Sequence, residues 1–314
     1  MCGPIDSWAL YPSTFCHASL HQETPIHQSL FMEMISNLKQ RVITASLLVP
    51  SVVLSTLMLP TVYFGLGLTV VILIGAWEWA GLMGWTSGIR RVSYSLTIAV
   101  LLYGAFRLNA LFPHGWLLLL MAALVWWCVA LGWVVQFEQK GMPIRSLEWP
   151  VVRIFVGCLI LVPTWVALIA IHRHIENGPV LVILLMMLIW GADSGAYFFG
   201  KRFGKRRLSA RTSPGKSWEG VGGGLLMTGI LSIAAGLYVR LPSGEWIPFI
   251  FLCLITVILS ILGDVTESLF KRRIGVKDSG RLLPGHGGML DRIDSLTAAA
   301  PFFALGLFLW GYIT

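Results

Sequence analysis

Long apolar runs alternate with short polar breaks along most of this chain. Nine runs are each long enough to cross a hydrocarbon layer of about 30 Å, which takes about 20 residues of helix: 43–60, 61–84, 92–112, 116–137, 151–171, 179–200, 221–239, 246–266 and 295–313. Lipid offers backbone N–H and C=O groups no partners, so these runs are predicted to be helices, which satisfy those groups internally. The stretch 43–84 is roughly twice what one crossing needs and is divided at Pro60, whose ring and missing N–H break a helix. The pattern predicts an all-α integral membrane protein, a polytopic bundle of about nine transmembrane helices.

The basic residues orient that bundle, because cytoplasmic loops collect Lys and Arg. With nine spans, 20 of the 23 Lys and Arg residues fall before the first span, in every second loop or, for Arg153, at the inner edge of the fifth span. The exceptions are Arg173 and Arg240 in the opposite loops and Arg107 within the third span. The chain is therefore read as N-in and C-out.

Composition agrees. Hydrophobic residues make up 56% of the 314 and charged residues 12%, against about 25% charged in soluble domains, which excludes a soluble globule. The net charge of +8 follows mainly from topology, and it suits a surface that meets anionic lipid heads or nucleotide phosphates. Residues 1–33 are polar, with Pro4, Pro12 and Pro25, and lack the layout of a signal peptide. Residues 1–40 are read as a disordered tail or an artefact of an upstream start, with Met32 or Met34 as the alternative beginning, and 41–314 as the membrane domain. The five cysteines are scattered without a Cys-x-x-Cys pair, as buried free thiols would be. His172 and His174 are placed in an outer loop, in an interfacial role.

Two inner loops, about 201–220 and 271–294, carry the candidate chemistry. In the first, "ARTSPGKS" (Ala210 to Ser217) satisfies a relaxed phosphate-loop pattern but follows a membrane helix rather than a buried strand, so the soluble nucleotide-hydrolase reading is rejected. Phosphate binding still fits: small residues admit an anion to backbone N–H groups, Lys216 adds charge, and a helix start follows. Gly220 and Gly224, four apart, also suit close helix packing. Asp193, near the inner end of a span, is either directly functional or orients the basic loop. Glu78, in "GAWEWAG", is read as a structural hydrogen-bonding group.

In the second loop, Asp264, Ser268 and Lys271 are spaced to share one helix face, and Asp291 and Asp294 share another if a helix begins there. Neighbouring carboxylates repel without a cation between them. Mg²⁺, which binds through one or two carboxylates, water and substrate phosphates, is the natural candidate. The alternative is salt bridging, of Asp278 with Lys277 or Arg281 and of Asp291 with a neighbour.

The segment "SLFKRRIGVKDSGRLLPGHGGMLDRID", Ser268 to Asp294, resembles the signature of the phosphatidate cytidylyltransferases, or CDP-diacylglycerol synthases. The likeness extends to "GADSGAYFFGKRFGKRRLSARTSPGKSWEG" and covers roughly 41 to 314, with Ser217 where the family more often has Thr. It implies the reaction of CTP with phosphatidate to give CDP-diacylglycerol and pyrophosphate, in membrane phospholipid biosynthesis. It also implies Mg²⁺ at Asp264, Asp291 and Asp294, with K⁺ as a second cation, and phosphate contacts from Lys216, Ser268 and Lys271. Lys277 and Arg292 would add supporting charge, Asp278 would orient groups or act as a base, and His286 would orient the loop. The expected partners are CTP, phosphatidate in the bilayer and membrane lipids; a homodimer is compatible with this, and nucleic acid is not expected. The reading places the chain in a bacterial inner membrane, its active site facing the cytoplasm. The rivals are a CTP-dependent lipid kinase of the dolichol kinase type and a membrane transporter.

Overall fold

Among the described residues each of the nine expected apolar runs contains a helix, and proline, glycine and polar residues set many of the ends. The computed structural model describes residues 43–112, 114–174, 177–282 and 285–311; the tail expected over 1–40 and Pro284 of the signature lie outside them. The helices are α1 (Ile43–Met58), α2 (Thr61–Leu82), α3 (Gly88–Leu111), α4 (Gly115–Lys140), α5 (Pro150–His172), α6 (Gly178–Phe203), α7 (Trp218–Tyr238), α8 (Trp246–Arg273) and α9 (Leu290–Leu309). Among the described residues, eight of them, α2 to α9, are long and apolar enough to cross a membrane, and α1 is shorter. The division at Pro60 holds: it is the N-cap of α2.

Two boundaries differ from the hydropathy pattern. Helix α8 runs past 266 to Arg273, and α9 begins at Leu290 rather than near 295. In these extensions Glu267, Ser268, Lys271 and Asp291 turn toward protein instead of lipid, so hydropathy under-reads the helix. A second departure is a small antiparallel hairpin between α6 and α7, β1 (Arg207–Ser209) and β2 (Ser213–Ser217).

The bundle is built around α5, whose apolar window is 78% buried against 22% for α3. It packs against α9 at the carbonyl that Pro301 leaves without its helical partner. Pro301, inside α9, has no N–H for the Thr297 carbonyl, and the Thr164 hydroxyl of α5, which lies 2.6 Å from the Ile160 carbonyl of its own helix, is shared with that oxygen at 3.2 Å. Helices α6 and α7 meet over small residues: a Cβ on Gly220 would lie 2.9 Å from the Ala196 carbonyl, and one on Gly224 3.0 Å from that of Ala192. The packing role expected of these glycines is thus realised.

Cross-contacts show which helix ends gather together. Trp79, late in α2, donates to the Arg153 carbonyl at the start of α5 at 3.0 Å, and Arg153 donates to the Met83 carbonyl at 2.7 Å. Arg272, at the end of α8, donates to the hairpin's Thr212 carbonyl at 3.2 Å. The basic loops therefore share one end of the bundle. At the opposite end His172 is the last residue of α5, buried rather than placed in a loop. Its Nε2–H donates to the Thr56 carbonyl at 2.9 Å, Nδ1 accepts the Thr61 hydroxyl at 3.1 Å, and the ring stacks on Phe64, which ties α5 to the α1–α2 turn.

Candidate active site

Helices α8 and α9 come together where α8 has no side chain. A Cβ on Gly263 would sit 2.5 Å from the Asp294 carbonyl oxygen. That close approach brings Asp264, the next residue of α8, toward Asp294 in the first turns of α9. On α8 the Ser268 hydroxyl lies 3.4 Å from Asp264 Oδ1, as the shared face predicts. One turn further on, Lys271 Nζ crosses to Asp291 Oδ1 at 2.8 Å and lies 3.4 Å from Glu267 Oε1. Glu267 and Lys271 are 5% and 8% exposed, so the ammonium is held between two carboxylates with little exposure.

The loop from α8 to α9 folds back on Asp291. Its carboxylate accepts the Ser279 N–H at 2.9 Å and the Gly288 N–H at 2.7 Å in addition to Lys271. Gly287 has φ +80°, and a Cβ there would lie 2.7 Å from Asp291 Oδ2, so both the turn and the close approach require glycine. Beneath the loop, Glu78 of α2 accepts the N–H groups of Met289 and Leu290 at 3.0 and 2.7 Å and the Ser279 hydroxyl at 3.2 Å. The structural hydrogen bonding expected of Glu78 is present.

The hairpin reaches this cluster through one side chain. Lys216, on β2, meets Asp264 Oδ2 at 2.5 Å. Ser217 then caps α7, its hydroxyl oxygen accepting the Gly220 N–H at 3.1 Å, an arrangement that stabilises a helix start by about 1 kcal/mol. Glu138, near the end of α4, grips the hairpin tip: it accepts the Ser209 hydroxyl at 2.7 Å, the Arg211 N–H at 3.1 Å, the Thr212 N–H at 2.8 Å and the Thr212 hydroxyl. Glu219 accepts the N–H groups of Lys205 and Arg206 at the hairpin's base.

Between these elements lies a cavity of about 270 Å³ lined by Asp193, Asp264, Lys271, Asp278, Asp291, Arg292, Asp294 and Ser295. It gathers seven of the eleven residues singled out in the sequence. Ser268 and Lys216 stand behind it, each against Asp264. Lys277 is exposed and outside the lining; His286 is half-buried, outside the lining, and its Nδ1 is buried without a hydrogen-bond partner. Of the salt bridges weighed for the loop, Asp291 has one, with Lys271 rather than a sequence neighbour. Three contributors escaped the sequence reading. Glu267 could have been found, since it precedes Lys271 by four residues on one helix; Ser295 and Glu138 carry no local signal.

Five carboxylates against two cations leave the cavity wall negative, and all its anionic donors are oxygens. That is the donor chemistry of Mg²⁺, which is held by one or two carboxylates and completed by water and substrate phosphates. Among the described residues no three His, Cys, Asp or Glu side chains converge closely enough to hold a metal ion by themselves. The set therefore fits a cation that arrives with a phosphate ligand rather than a closed protein cage.

Comparison with known proteins matches residues 39–310 to the profile of the cytidylyltransferase family. The chain is 46% identical to the phosphatidate cytidylyltransferase of Pseudomonas aeruginosa over 276 residues, which are 88% of this chain and 98% of the relative. It is 36% identical to that of Haemophilus influenzae over 285 residues, 85% of this chain and 97% of the relative. With that of Bacillus subtilis it shares 46% identity over 145 residues, 45% of this chain and 52% of the relative.

Proposed function

The chain belongs to the cytidylyltransferase family, and we propose that it joins CTP to phosphatidate, giving CDP-diacylglycerol and pyrophosphate. The observation that carries this reading is the cavity itself. Surplus carboxylates face Lys271 and Arg292 at the basic end of a membrane-spanning bundle, where a water-borne triphosphate can meet a lipid phosphate held at headgroup depth.

A phosphatidate phosphate oxygen attacks the α-phosphorus of CTP, a P–O bond forms, and the bond to pyrophosphate breaks with its electron pair. The attacking oxygen is already ionised near neutral pH, so no strong base is needed. Catalysis is then positioning and neutralisation of charge. Lys216, at the start of α7, would hold a phosphate together with the helix's amide end, and Lys271 and Ser268 would take others as they leave their carboxylate partners. Arg292 and Lys277 would supply further positive charge, with Asp193 and Asp278 orienting the basic groups and His286 orienting the loop. Asp264, Asp291 and Asp294 would hold Mg²⁺, Asp291 once Lys271 turns from it to a phosphate, with K⁺ as a second cation. When bound, the metal would neutralise the phosphates and polarise the α-phosphorus.

The acyl chains would remain between helices, which predicts little selectivity for their length. The active site would face the cytoplasm, by the placement of the basic residues.

The test is to incubate purified protein in detergent with phosphatidate, Mg²⁺ and CTP labelled on the α-phosphate. Label in the lipid and release of pyrophosphate are expected. Absence of labelled lipid overturns the assignment, and transfer of a γ-label in its place would identify a lipid kinase.

A further inference from the structure

A helix that begins beside a reactive cavity must have its first amide N–H groups satisfied; in α9 the Arg292 N–H finds the Met289 carbonyl at 3.0 Å, but those of Met289 and Leu290 find their acceptor outside the helix. Met289 stands at its N-cap position without a side-chain cap. The missing acceptor comes from α2. Glu78 Oε1 accepts the Met289 N–H at 3.0 Å and Oε2 accepts the Leu290 N–H at 2.7 Å, from a residue 211 positions earlier than Met289. Negative charge at this end also complements the helix dipole.

The same carboxylate holds the other end of the loop. Oε2 accepts the Ser279 hydroxyl at 3.2 Å, while the Ser279 N–H donates to Asp291. Gly280 and Gly288 line this contact so closely that a Cβ on either would collide with the Glu78 carboxylate. Glu78 is 5% exposed and is not part of the cavity wall. It stands outside that wall, yet it joins the start of the loop to the first turn of the helix that presents Asp291, Arg292 and Asp294.

We propose that Glu78 is a positioning residue for the reaction: by capping α9 from another helix and closing the loop between Ser279 and Met289, it fixes the carboxylates of Asp291 and Asp294 at the cavity. The catalytic consequence rests on the proposed cytidylyl transfer; the capping does not. A glutamine would retain one acceptor oxygen but direct an NH₂ group at a backbone N–H. An aspartate keeps the charge on a side chain one methylene shorter.

Two measurements test this in the full-length protein. The first is hydrogen exchange by mass spectrometry without substrate or metal. In the wild type, the Met289 and Leu290 amides exchange slowly. In Glu78→Gln, peptides covering 279–290 exchange faster by about tenfold or more, as loss of a buried hydrogen bond implies, while α5 and α6 are unchanged. The second is the Mg²⁺ concentration giving half-maximal turnover, expected to rise about tenfold or more in Glu78→Gln and to be partly restored in Glu78→Asp.

Wild-type amides at 289 and 290 that exchange as fast as open loop would overturn the capping, whether or not any variant folds. Faster exchange spread evenly over the whole variant would reduce Glu78 to a general stabiliser and overturn the proposal. So would unchanged Mg²⁺ dependence in a variant whose loop is demonstrably loosened. If the wild type makes no labelled lipid, the proposed reaction fails, and the exchange result still decides the capping.

Discussion

Lys271 and Asp291 lie on different helices, 20 residues apart, and meet at 2.8 Å with almost no exposure of either side chain. The pair links the end of α8 to the start of α9. Asp291 also holds two loop amides, so its charge organises the loop as well as facing the cavity.

Asp291→Asn and Asp294→Asn should therefore fail differently. Breaking a buried ion pair destabilises by about 3–5 kcal/mol, with Glu267 still beside Lys271 to moderate the loss. Asp291→Asn is expected to lower Tm by several degrees and also to lose activity. Asp294→Asn should keep Tm near the wild-type value and lose turnover by about a hundredfold or more, the scale for a group that stabilises charge in a transition state. Thermal unfolding in detergent beside the labelled-lipid assay separates them; wild-type turnover in Asp294→Asn would remove it from the site.

Lys216→Met should act on binding rather than folding. The Lys216–Asp264 pair is about a quarter exposed on each side, and such a pair contributes about 1 kcal/mol or less to stability. A charged contact to a phosphate is stronger, so KM for CTP should rise by about tenfold to a hundredfold with Tm unchanged. Steady-state kinetics over a range of CTP concentrations checks this.

Glu138→Ala should release the hairpin. It removes the acceptor for four donors at the hairpin tip, which lies among Arg206, Arg207 and Arg211. Trypsin cleavage between 206 and 211 is expected to speed up by about tenfold or more, through local opening. Unchanged cleavage would mean that Arg272 and Glu219 suffice to hold the hairpin.

Gly263→Ala tests the α8–α9 contact. Its new methyl must move the Asp294 backbone, overpacking that costs about 1–3 kcal/mol, and should lower both Tm and turnover. Gly229→Ala, in α7 with nothing within 4 Å of the added Cβ, should leave both at or above wild type, since alanine is the better helix former.

The helices were legible because a bilayer imposes one length and one polarity on every crossing, and the break at Pro60 shows how far a single residue can settle a boundary. The site was legible only in part. Asp264, Ser268 and Lys271 fall on one face by helical spacing, and Asp291 and Asp294 announce themselves as carboxylates beside a greasy run. Where hydropathy failed, at the end of α8 and the start of α9, polar groups face protein rather than lipid. The hairpin escaped because its strands are three and five residues long, too short for an alternating pattern to stand out.

Sequence alone thus determined the membrane bundle, the gathering of positive charge at one end and the residues able to do phosphate chemistry, since each follows from local composition and spacing. Tertiary structure decided the pairings: Lys216 with Asp264, Lys271 with Asp291, Glu138 with the hairpin tip and Glu78 with the start of α9. None has a local signature, because a carboxylate's partner inside a fold is whatever donor the packing of distant segments brings within about 3 Å.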